Sequence, residues 1–164
     1  MNTLRNVVLI LCGLLTSFGV SMARADDAGL RSSLTACRTP NSVEHQRIGG
    51  VLNCGKIWKI KDGSVRLSAD GALRVNIKGL VLDDVSTGDS NGTPDGVTGV
   101  VAALVCGANG GAVVAQTAGV PISLTGEAKI HTFLMLPPQC VAPIVLIREI
   151  YQGEVGGWLA GIGF

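Results

Sequence analysis

Residues 61–78 read Lys-Asp-Gly-Ser-Val-Arg-Leu-Ser-Ala-Asp-Gly-Ala-Leu-Arg-Val-Asn-Ile-Lys, and their alternation decides the fold class. Val65, Leu67 and Ala69 interleave with Ser64, Arg66 and Ser68, and beyond the second Asp-Gly pair Leu73, Val75 and Ile77 interleave with Arg74, Asn76 and Lys78. A period of two marks an extended strand, because successive side chains leave its backbone on opposite sides. Asp-Gly supplies the positive φ angles that tight hairpin turns require. The stretch predicts a three-strand meander, Lys56–Lys61, Ser64–Ala69 and Ala72–Asp83, with turns at Asp62-Gly63 and Asp70-Gly71 and its polar face in water.

Downstream, Val97–Cys106 is apolar on both faces and reads as a central strand covered on each side. Ala112–Thr117, Ile122–Leu124, Ala128–Leu136, Pro143–Ile150 and Gly157–Phe164 follow as strand candidates punctuated by Gly, Pro and Thr-Gly. Pro121 and Pro143 stand at strand starts, where a missing N–H costs least. Only Ala28–Ala36 offers a short helix. Many short strands without alternating helices predict an all-β fold: a single antiparallel β-sandwich, immunoglobulin-like or similar, of about 7–9 strands, with a barrel as the alternative.

The sandwich is expected over residues 26–164, after a secretory signal peptide over residues 1–25. Arg5 precedes an apolar run from Val7 to Val20, and Ala23-Arg24-Ala25 supplies the small residues that signal peptidase reads, so cleavage is expected after Ala25. The run is shorter than the ~20 residues of a membrane-spanning helix. No later apolar run is long enough to span, so the mature chain is expected to have no transmembrane segment and to be secreted or periplasmic. A short signal and a small disulfide-bearing domain point to a bacterial source.

The whole chain carries 15% charged residues and a formal net charge of +1, with no run of three basic residues, which argues against nucleic acid as a partner. An oxidising compartment turns the four mature cysteines into disulfides. Proximity in sequence favours Cys37 with Cys54 and Cys106 with Cys140. A zinc site would need close Cys-x-x-Cys pairs, and there are none.

The 14 residues from Asp83 to Gly96 form the longest polar connection. Gly88-Asp89-Ser90-Asn91-Gly92 matches the G-x-S-x-G of nucleophile elbows and resembles the Gly-Asp-Ser-Gly-Gly of chymotrypsin-like proteases over five residues. Ser90 is therefore the catalytic candidate, although turn residues follow it where an elbow needs a helix, and a triad also needs a histidine and a carboxylate. His45 is the one histidine preceding it, in a polar stretch. Asp89, Asn91 and Asp95, with Asp83 and Asp84, are hard-oxygen donors that make the loop a calcium candidate. Pro94 stands where an EF-hand has glycine, and the closing Glu is missing, so an ordinary turn is preferred and no metal or cofactor is assigned.

His131, with Phe133 and Met135 at same-face spacing, offers too few ligands for copper. Glu127, Glu149 and Glu154 are the glutamates that could pair for glycoside hydrolysis, a chemistry that depends on carboxylate separation. Trp58 joins Asp89, Asn91 and Asp95 as a binding candidate, with its exposure undecided, whereas Trp158 shares a face with Ala160, Ile162 and Phe164 and reads as core. In size, disulfide content and apolar terminal strand the chain resembles exported pilus subunits, a likeness of architecture that carries no family motif. That last strand could complete its own sheet or pair with another copy.

These features favour a small exported, non-catalytic binding, adhesive or structural module of the periplasm or cell surface. The alternatives are a small secreted hydrolase or a calcium-binding module, both using residues 83–96. The partner is left open between a protein, a cell surface and self-association. Export should leave Asp26 as the first residue, as read by the intact mass of the released protein; a released chain retaining residues 1–25 would refute the cleavage assignment.

Overall fold

The computed structural model describes residues 29–38, 47–107 and 111–162. The expected signal peptide, His45 and Phe164 lie outside the described residues. Twelve strands run through these residues: β1 (Leu30–Ser33), β2 (Thr35–Ala36), β3 (Trp58–Lys59), β4 (Asp62–Leu67), β5 (Ala72–Lys78), β6 (Val81–Leu82), β7 (Val97–Cys106), β8 (Ala112–Gln116), β9 (Val120–Pro121), β10 (Ala128–Phe133), β11 (Ile144–Tyr151) and β12 (Glu154–Gly161). Two antiparallel sheets pack together without closing into a barrel, so the all-β sandwich holds and the barrel alternative does not. One sheet has the order β1-β4-β5-β10; the other has β2-β12-β11-β7-β8, with β9 also on β7, and β3 and β6 form a separate two-stranded ribbon. Four of the strands are only two residues long, which is why the described residues hold more strands than the pattern suggests.

The alternation between residues 64 and 78 is realised in the two strands but not at Ala69, which is exposed in the turn after β4 ends at Leu67. Val65, Leu67, Leu73, Val75 and Ile77 are buried, while Ser64, Arg66, Arg74 and Lys78 are exposed. Asp70-Gly71 makes the β4–β5 hairpin: Gly71 has φ 92°, and the Ser68 N–H donates to the Ala72 carbonyl at 2.9 Å. Asp62-Gly63 does not turn. Both residues lie in β4, opposite Lys78 and Ile77. A Cβ on Gly63 would stand 2.8 Å from Leu34 Cβ, so this glycine serves close approach rather than reversal. The meander is corrected accordingly. Its first strand shrinks to β3, which pairs with β6, and its third strand breaks at Gly79 (φ 65°) before β6 begins.

The expected helix near Ala28–Ala36 is also corrected. β1 pairs with β4 at the edge of one sheet, and β2 pairs with β12 at the edge of the other. Buried Leu34 is the corner between them, a strand crossing from sheet to sheet.

β7 is covered on both faces. Val100, Ala102 and Leu104 enter the sandwich core, while Val105 lies beneath the Gly49 turn and Val101 beneath Gly119. β12 completes its own sheet between β11 and β2, burying Trp158, Leu159 and Ala160. Disulfides join Cys37 to Cys54 and Cys106 to Cys140, and two such bonds fit an oxidising environment. Among the described residues, no helix is long and apolar enough to cross a membrane.

Leu146, fully buried on β11, should cost about 2–5 kcal/mol when truncated to Ala, as measured by urea unfolding. Gly71→Ala should also destabilise, because its Cβ would meet the Leu134 carbonyl at a positive φ; a variant as stable as the parent would refute that hairpin geometry.

Candidate functional site

Three distant segments meet at one end of the second sheet. The chain on either side of Cys54, the second cysteine of the first disulfide, supplies Leu52 and Lys56, the end of the 83–96 loop supplies Asp95, and β11 supplies Glu149 and Tyr151. They enclose a cleft of about 400 Å³ whose inner wall includes Trp58 and Val97. Glycines make the room: a Cβ on Gly96 would stand 3.1 Å from the Tyr151 ring, and one on Gly156 would stand 2.6 Å from Glu149 Oε1.

Lys56 and Asp95 form an ion pair across the cleft. The Lys56 ammonium, with a hydrogen bond from Ser90, holds the Asp95 carboxyl below its ordinary range. Glu149 is shifted the other way. Burial raises its pKa and the Asp95 charge adds to this, while the Gly157 N–H, donating to Oε1 at 3.2 Å, and Lys56 oppose it. Two carboxyls of opposite tendency thus share one cleft with a cation and a phenol.

The loop's other polar side chains do not enter the cleft. Asp84 accepts from the Ser86 N–H (2.9 Å) and hydroxyl (2.6 Å), and Asn91 Oδ1 accepts from the Asp84 N–H at 3.1 Å. Asp83 pairs with Arg38 and Lys59. Asp89 is exposed in a 3-10 segment, Val85–Ser90, that kinks at Gly88. Among the described residues, no group of three or more His, Cys, Asp or Glu side chains is arranged to hold a metal ion.

Ser90 meets Asp95, and a carboxylate made more acidic is a weak base for activating a hydroxyl. His131 is exposed on β10, in the other sheet. Trp58, whose exposure the sequence left undecided, is only 2% exposed, with no hydrogen-bond partner for its buried indole N–H. It is a wall of the cleft rather than an open platform. Of the three glutamates, Glu127, just before β10, and Glu154, the first residue of β12, are exposed, and Glu149 alone reaches the cleft.

Lys56 and Tyr151 were not among the sequence candidates. The signal that could have drawn attention there is Arg148-Glu149, a charged pair inside the apolar run Ile144–Ile150. Its two members point to different tasks: Arg148 donates to the Gly156 carbonyl (3.0 Å) and to Gln116 Oε1 (2.7 Å), bracing β12 and β8, while Glu149 enters the cleft.

Because the native state holds the Glu149 proton more tightly than the unfolded chain does, stability from this group should fall as pH rises from the ordinary 4.5 through the raised value. Glu149→Gln should abolish that fall in a pH series of urea unfolding curves; an unchanged profile would show that Glu149 is not desolvated. No family model, curated protein or solved structure matches the chain, so the chemistry of the cleft stands on its own residues.

Proposed function

We propose that the protein is a small exported, non-catalytic binding module of the periplasm or cell surface, and that its ligand sits in the cleft between Lys56, Asp95, Glu149 and Tyr151. The observation that carries this reading is the cleft's make-up: a cation, a carboxylate, a desolvated carboxyl and a phenol around an apolar wall. Ligand sites combine apolar lining with a few convergent polar groups in this way. The ligand that fits is small and polar, with hydroxyl or amino groups to meet the carboxyls and an apolar face for the wall. The disulfides and the apolar N-terminal run support export.

A second reading, hydrolysis using the 83–96 loop, is favoured by one observation. Asp95 belongs to that loop and shares the cleft with Glu149, and paired carboxyls of diverging acidity are what acid–base chemistry uses.

The test is thermal unfolding across a panel of soluble glycans, amino compounds, Ca²⁺, Cu²⁺, Zn²⁺ and EDTA. A ligand at 100 times its Kd should add about 2.7 kcal/mol, a shift of several degrees. Lys56→Ala and Tyr151→Ala should remove that shift. A flat panel, or a shift that survives both substitutions, would overturn the cleft as the binding site. Product formed from a glycan by the parent and lost in Glu149→Gln would replace binding by the hydrolase reading, and a shift with Ca²⁺ lost in Asp89→Asn would replace it by the calcium reading.

A further inference from the structure

Strand register gathers positive charge on the outer face of the first sheet. Arg31 lies opposite Arg66, Arg66 opposite Arg74, and Arg74 opposite His131. Three guanidinium groups and an imidazole therefore cross all four strands in one row, each exposed. With neighbouring strands roughly 4.8 Å apart, the row spans about 14 Å. Two residues along, the same face carries Ser33, Ser64, Asn76 and Lys129 in a second row. The three arginines, with Ser33, Ser64 and Asn76, line a shallow depression of about 550 Å³.

Like charges directly opposite one another on paired strands oppose sheet formation. Among the described residues, no carboxylate lies within ion-pairing distance of Arg66 or Arg74. The acids nearby stand at the margins. Asp62 is paired with Lys78 at 3.6 Å, Asp70 caps the hairpin by accepting from the Ala72 N–H, and Glu127 precedes β10.

A second feature adjoins the row. Phe133 follows His131 by two residues on edge strand β10 and is 72% exposed, and Met135 beyond it is 91% exposed. Two large apolar side chains left bare beside a cationic surface fit a partner that offers both negative charge and an apolar medium.

We propose that the outer face of β1-β4-β5-β10 docks onto a membrane surface rich in anionic phospholipid. Guanidinium forks match phosphodiester oxygens bidentately, an anionic leaflet attracts each cation brought near it, and Phe133 and Met135 enter the boundary between headgroups and acyl chains. A single-stranded nucleic acid would use successive large aromatic platforms, and Phe133 is the one such side chain described on this face. A soluble acidic polysaccharide would leave Met135 unused. The face is distinct from the cleft, and the proposal stands without the cleft reading.

The test is co-sedimentation of the full chain with vesicles of phosphatidylcholine alone or mixed with phosphatidylglycerol. The parent should partition preferentially onto the mixed vesicles. R66Q/R74Q should weaken that partitioning about 30-fold and K129Q about fivefold, with binding to phosphatidylcholine unchanged, so any contribution from residues 1–25 cancels. F133S/M135S should release the protein at high salt, where the charge attraction is screened. Equal partitioning onto both vesicles would overturn the proposal, as would parental binding by R66Q/R74Q. Displacement by inorganic phosphate alone would reassign the depression to free phosphate. Displacement by heparin or single-stranded DNA at matched charge would reassign the face to a soluble polyanion. The thermal midpoint of R66Q/R74Q should equal or exceed the parent's, because both substitutions relieve repulsion on an exposed surface.

Discussion

The burial of β7 on both faces is the constraint on which the rest of the molecule depends. From Gly99 to Val105 the strand has no polar side chain, so its stability comes from what covers it. The first sheet covers one side. The other is covered by ordinary chain: the Gly49 turn lies on Val105, and the segment then runs along the free edge of β12, where the Trp158 backbone N–H donates to the Leu52 carbonyl at 3.0 Å. The Cys37–Cys54 bond ties that covering segment to the end of β2. Lys56 reaches the cleft because the cover ends there, so the site is a by-product of how the central strand is shielded.

Within the 83–96 loop, polar residues divide by task. Asp84 and Asn91 hold the loop's own turns, Asp83 ties the loop to Arg38 and Lys59, and Asp95, the last acid before β7, is the one presented to the cleft. The loop is thus more a built mount than a free tether. Its composition resembles that of a metal-binding or catalytic loop because turns and metal sites draw on the same oxygen-bearing residues.

The parts of the fold legible in sequence were those set by neighbours along the chain. The alternation from Ser64 to Lys78, the Asp70-Gly71 turn and the unbroken apolar run of β7 needed no distant information. Asp62-Gly63 misled because the role of its glycine is set by Leu34, which reaches it from another strand. The β3–β6 pair and the crossing at Leu34 were hidden for the same reason, being contacts between segments far apart in sequence. The candidate site was less legible still. Lys56, Asp95 and Glu149 are each ordinary alone, and only the folded topology makes them neighbours.

The two disulfides also determine how the domain responds to being pulled. The bonded cysteines stand 17 and 34 positions apart, the longer span holding β8, β9 and β10. Stretched chain reaches about 3.5 Å per residue, so these loops withhold about 60 Å and about 120 Å of contour from any force applied between the ends. Under tension the oxidised domain yields less length than the reduced one: β10 and the edge it provides stay inside a covalent ring that a load passes around, through the bond at Cys106 and Cys140.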